Sequence, residues 1–62
     1  MKVYYKRREF RFDESMSALK LLKKLSLSAN EVVVVKNGTI VTEDEMLSRD
    51  DEVKIINTVS GG

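Results

Sequence analysis

With 62 residues, no Cys and no His, the chain has no route to a disulfide framework or to the usual zinc ligand sets, so a single small domain must be held by packing. Hydrophobic residues make up 42% and charged residues 34%, and no apolar run approaches the roughly 20 residues that span a bilayer. The net charge of +1 hides a division: residues 1–30 hold 8 basic and 3 acidic side chains, residues 31–62 hold 3 and 7, the pattern of a molecule with one basic and one acidic face. The cations among residues 1–11 alternate with single apolar residues, unlike a secretory signal, and the protein is expected to be cytoplasmic and monomeric on its own.

Residues 1–12 alternate apolar and polar with period two, which predicts a hairpin buried on one face. A turn at Arg7-Arg8 would set Val3 opposite Phe12, Tyr5 opposite Phe10, Tyr4 opposite Arg11 and Lys6 opposite Glu9. Val3, Tyr5, Phe10 and Phe12 would then share the inner face. A helix follows. Ser17 is a good N-cap, Met16 and Leu21 can form a hydrophobic staple, and Ala18, Leu21, Leu22 and Leu25 fall on one apolar stripe. Lys23 and Lys24 close it, where cations favour the helix dipole, and Leu27 extends the apolar surface.

The β-branched run at residues 32–35 is too apolar for a strand wet on one side and predicts a central or well-covered strand. Asn37-Gly38 signals a type I′ hairpin, and residues 39–41 return as its second strand. Thr42 followed three residues later by Glu45 reads as a capping box that opens one helical turn and aims Met46 and Leu47 inward. Asp50 and Asp51 supply turn chemistry before a last strand at residues 53–59, with Val53 and Ile55 inward and Lys54, Ile56 and Thr58 outward. Hairpin, helix, hairpin, turn and strand make an α+β chain of the ubiquitin-like β-grasp type. Its mixed sheet of four to five strands packs on one helix, with the first and last strands parallel at the centre. The body should span residues 1–59 and a flexible tail residues 60–62.

Catalytic groups are scarce, since no Cys nucleophile and no His base is present. The acidic groups at residues 43–45 and 50–52 lack the spacing of a calcium loop, and three glycines cannot build a phosphate-cradling loop, so no catalytic residue, metal or bound cofactor is expected. The unusual feature is the end of the sequence, where Gly61 and Gly62 follow an apolar strand.

Ser17-Ala18 with Leu21, Leu22 and Leu25, the run at residues 32–35, Asp51-Glu52-Val53 and the closing Val59-Ser60-Gly61-Gly62 resemble the small ubiquitin-like sulfur carriers of the ThiS/MoaD type. Asp50 departs from the pattern, which often has Gly there. The resemblance implies a carrier and not an enzyme. It implies that an E1-like activating enzyme uses ATP to adenylate the Gly62 carboxylate, and that sulfur then replaces AMP to give a thiocarboxylate. Sulfur donor and acceptor enzymes of thiamine, molybdopterin or tRNA thiolation would be its partners, with attachment of Gly62 to lysines of target proteins as a second role. Partner contact is expected at Ile56, Thr58, Val59 and Ser60 near the tail, steered by Asp50, Asp51 and Glu52. A competing reading is a small RNA-binding or ribosome-associated β module using Lys2, Lys6, Arg7, Arg8 and Arg11 with Tyr4 as a stacking surface, although the pI near 8.0 makes nucleic acid a poor fit.

Overall fold

A computed structural model describes residues 1–58. Strands β1 (Lys2–Tyr5) and β2 (Arg8–Arg11) form the first hairpin, followed by the two-residue strand β3 (Met16–Ser17) and helix α1 (Ala18–Lys24). Then come β4 (Val32–Lys36), β5 (Thr39–Val41), β6 (Met46–Leu47) and β7 (Glu52–Asn57). The main sheet has the order β2-β1-β7-β4-β5, and β3 pairs with β6 beside it. β1 and β7 run parallel at the centre, with Val3 beside Val53 and Tyr5 beside Ile55. This is the mixed five-stranded β-grasp expected. The boundary between body and tail falls outside the described residues.

α1 is only seven residues long, too short to persist in water by itself. Ala18, Leu21 and Leu22 are buried against Val3, Val34, Val53 and Ile55 of the sheet and against Met16 and Leu47, and this packing holds the helix in place. Burial of each of the two leucines is worth about 1.5–3 kcal/mol. Ser17 caps the helix as predicted, its hydroxyl accepting from the Lys20 N–H at 3.1 Å. Met16 and Leu21 are both buried.

Three expectations need correction. The first hairpin turns one residue early, at Lys6-Arg7, so Val3 pairs with Phe10, Tyr4 with Glu9 and Tyr5 with Arg8. Sliding the turn by one residue moves the pairing by two, and both faces keep their membership. The observed register lays the Arg8 guanidinium 5.8 Å from the Phe10 ring centre and the Lys6 ammonium 5.5 Å from that of Tyr5. Phe12 passes beyond the strand and bonds its N–H to the Met1 carbonyl at 3.0 Å.

Secondly, residues 42–45 form a turn and not a helix. The carbonyls of Glu43 and Glu45 accept the N–H groups of Leu19 and Ala18 at 2.8 and 2.9 Å, satisfying two orphan donors of α1. Thr42 points its hydroxyl at the Asp44 carboxylate, and the following residues extend along β3. In an extended strand neighbours face opposite ways, so Leu47 is buried while Met46 is 62% exposed.

Thirdly, β4 lies inside the sheet between β7 and β5, as expected, but it is wet on one side: Val32 and Val34 are buried under the helix side, and Val33 and Val35 are half-buried on the other. Asn37 and Gly38 both take positive φ, as a type I′ turn requires. Asp50 does not, so the turn at residues 48–51 closes without a glycine.

The C-terminus of α1 carries a signal the sequence hides. Ser26 sits at φ 59°, and the N–H groups of Ser26 and Leu27 bond to the carbonyls of Lys23 and Leu22 at 3.1 and 2.8 Å, a Schellman motif without its usual glycine. An L-residue held there costs about 1–2 kcal/mol, and glycine gives back about 0.4–1 kcal/mol through its freer unfolded state. Ser26→Gly should therefore stabilise the domain by roughly 0.5–1 kcal/mol, read as a higher urea midpoint at unchanged slope.

Candidate functional site

β7 carries the chain to one end of the sheet. Thr58 follows it, exposed, and its N–H donates to the Glu31 carbonyl at 2.9 Å, while the Tyr5 hydroxyl donates to the Asn57 side-chain carbonyl at 3.0 Å. Of the predicted contact and transfer residues, Ile56 and Thr58 lie at this end, and Val59, Ser60, Gly61 and Gly62 lie outside the described residues. Ile56 points away from the helix and is 53% exposed.

Ile56 is not isolated. Its cross-strand neighbour is Val33, and the next row of the same face runs Tyr4, Lys54, Val35, Ile40, with Ile40 70% exposed. Val33, Val35, Ile40 and Ile56 thus form an apolar strip on the face that α1 leaves open. The sequence reading missed Val33 and Val35 because it took residues 32–35 as well covered, and Ile40 because it assigned no facing to residues 39–41. One signal could have found them: a single short helix shields one face of a sheet and no more.

Charge divides along the strands. The hairpin tip with Lys6, Arg7 and Arg8 shares the end of the sheet where β7 finishes, because β1 and β7 are parallel. Asp50, Asp51 and Glu52 lie where β7 begins, roughly 17 Å away along six residues of strand. The acids expected to steer a partner thus lie a strand's length from Ile56 and Thr58. The five cations of the nucleic-acid reading are divided too, for Lys2 and Arg11 pair with each other at the far end, and Arg11 is bound to Glu9 at 2.8 Å.

The acidic end serves the fold. Asp51 accepts from the Ser48 N–H at 2.7 Å and from the Asn37 side-chain amide at 3.0 Å, and Lys36 lies 3.8 Å away. Lys36 itself bonds to Glu45 at 3.0 Å and to the Met46 carbonyl at 3.1 Å. These contacts tie the β4–β5 turn to the segments on either side of β6. The bond from Ser48, then that from Asn37, hold the Asp51 carboxyl below its ordinary value of 3.8. Among the described residues no group of three or more His, Cys, Asp or Glu side chains is gathered to hold a metal ion, and no helix is long and apolar enough to cross a membrane.

The sequence pattern of the ThiS family matches residues 2–62. The chain belongs to the ThiS family. Among solved structures it is similar to the crystal structure of a thiamine biosynthesis protein (ThiS) from Geobacter metallireducens, with a TM-score of 0.69 and 23% identity over 100% of both chains. Comparison with curated protein sequences gives no significant match. Membership brings the ubiquitin-like β-grasp of a small sulfur carrier, the fold described above.

A carboxyl whose folded-state pKa is depressed stabilises the protein fully above its unfolded value and loses that contribution as pH falls through the folded one. Asp51→Asn should therefore melt below the wild type at pH 7, and the gap should close as the pH is taken below about 3.8. Thermal melts of both proteins across that range check this.

Proposed function

We propose that this chain carries sulfur for thiamine biosynthesis as a thiocarboxylate on Gly62, and that it is the substrate of an activating enzyme. The observation that carries the reading is a family match that runs through the terminal Gly61-Gly62. The name of the similar Geobacter protein supports the thiamine pathway over molybdopterin or tRNA thiolation.

The chemistry follows from an α-carboxylate. With a pKa near 3.5 it is ionised at neutral pH, so it can attack the α-phosphate of ATP, releasing pyrophosphate. The resulting acyl adenylate has AMP as a good leaving group, which a sulfur nucleophile from a donor enzyme displaces. Neither step needs a base or nucleophile from the carrier. Gly61 and Gly62 suit a narrow channel in the activating enzyme, where a Cβ would hold the chain off the walls that align carboxylate and phosphate. Cytoplasmic location, ATP use by the partner alone and conjugation of Gly62 to protein lysines belong to the same proposal. Ile56, Thr58, Val59 and Ser60 are its contact residues, and the strip of Val33, Val35 and Ile40 extends the surface around Ile56.

Removal of Gly61 and Gly62 should abolish ATP–pyrophosphate exchange by the cognate activating enzyme while leaving the circular dichroism spectrum and melt unchanged. Intact mass of the protein isolated from its host should show a species about 16 Da heavier, from replacement of oxygen by sulfur. Adenylation of the truncated protein would refute the assignment.

Ile56→Asp should keep the melting temperature and raise the carrier's KM in the exchange assay roughly tenfold, equivalent to about 1.4 kcal/mol.

A further inference from the structure

The tip of the first hairpin is built against local preference. The same chain closes its other hairpin with Asn37-Gly38, the pair best suited to positive φ, yet turns the first through Lys6-Arg7 and holds Lys6 at φ 57°. Strain of this kind in a non-glycine residue clusters at functional sites, and unlike Ser26, which closes a helix, Lys6 has in Asn37-Gly38 a less strained alternative used elsewhere in the same chain. Three consecutive cations at the tip also repel one another. Among the described residues Lys6, Arg7 and Arg8 make no salt bridge, as is true of most cations of this chain, but only here do three such cations stand consecutively at one turn.

Two of the tip's cations are seated. Lys6 lies over the Tyr5 ring and Arg8 over the Phe10 ring, and with Lys24 at the end of α1 they line a groove between hairpin and helix. The aromatic rings limit the freedom of the long side chains, so less entropy is lost when a carboxylate pairs with them. This end of the sheet is also the one from which residues 59–62 continue.

We propose that the Lys6-Arg7-Arg8 tip is a docking element for an acidic surface on the protein that takes up the C-terminal segment, an inference that rests on the carrier reading above. A protein that receives Gly62 would approach the carrier from the end where β7 finishes. A surface rich in Asp and Glu placed to meet the tip would steer association and fix the orientation in which the tail enters, and the acidic far end of the carrier would be repelled by it.

The test is ATP–pyrophosphate exchange with the full chain and its activating enzyme, at about 50 and about 300 mM salt. Arg7→Glu/Arg8→Glu should raise the KM for the carrier roughly tenfold or more at low salt with kcat unchanged, and added salt should shrink the difference. Arg7→Gln/Arg8→Gln should shift it less, in the same direction. Lys2→Glu/Arg49→Glu makes the same change in net charge at the opposite end and should move KM by less than about twofold.

Equal effects of the two reversals would reduce the tip to net charge and overturn the proposal, as would a loss confined to kcat. An unchanged KM in the tip variants also overturns it. In that case, a single-stranded RNA oligonucleotide bound by the wild type and lost in the variant would give the tip to nucleic acid, and self-association lost in the variant would give it to a second copy. Circular dichroism confirms that each variant is folded. If the wild-type carrier supports no exchange at all, the carrier reading fails and takes this inference with it. That outcome is told apart because the wild type itself is then silent.

Discussion

The parallel ladder between β1 and β7 joins the first strand of the chain to the last, and every other placement follows from it. Closing a loop of roughly 50 residues in place of ten costs about 1.4 kcal/mol more in chain entropy. Burial of one valine is worth about 1.5–3 kcal/mol, and Val3 and Val53, neighbours in this ladder, are both fully buried. Long-range pairing is thus affordable here because its first contacts are core contacts. Once it forms, parallel direction puts the β1–β2 tip and the end of β7 together, and β4 fills the other side of β7 to complete the sheet.

A chain of this length can spare one helix, and one helix covers one face. Val3, Val34, Val53 and Ile55 take that cover. On the open side, Val33, Val35, Ile40 and Ile56 gain little for the folded monomer, since much of their surface stays in water. Polar residues would serve solubility better there, as Lys54 does in the same row. An apolar strip on that face is the kind of surface that association buries, which is the role proposed for it above.

Much of the fold was legible in local chemistry. Asn37-Gly38, the Ser17 cap and the alternation of Val53, Lys54, Ile55 and Ile56 each act over a few residues, and each appears as expected. The failures have a common form. Lys6-Arg7 in place of Arg7-Arg8 leaves both faces intact, so the hydrophobic pattern could not choose between the two registers. Thr42 and Glu45 have the letters of a capping box, but the carbonyls of residues 43 and 45 are engaged by α1, a partner invisible in a window of ten residues. Ser26 ends the helix in a conformation that glycine normally announces. For the site, period two was enough to turn Ile56 outward, whereas Val33 and Val35 sat in a run with no alternation to read. The chemistry proposed for Gly61 and Gly62 rests on family resemblance, because what befalls a carrier's end depends on another protein.

The two charged ends of the sheet are not equivalent, and the difference is one of employment. Asp51 and Glu45 are engaged by Lys36, Asn37 and Ser48, so the acidic end holds the β4–β5 turn and β6 in place. Lys6 and Arg8 rest on aromatic rings and Arg7 makes no salt bridge within the described residues, so the basic end holds no ion pair and bears a left-handed residue in its turn. Sequence halves that differ in charge would cancel if the hairpin and the last strand were antiparallel, since the tip would then meet the start of β7 and its acids. Parallel pairing keeps them a strand's length apart and leaves the cations unspent at the end where the chain continues towards Gly62.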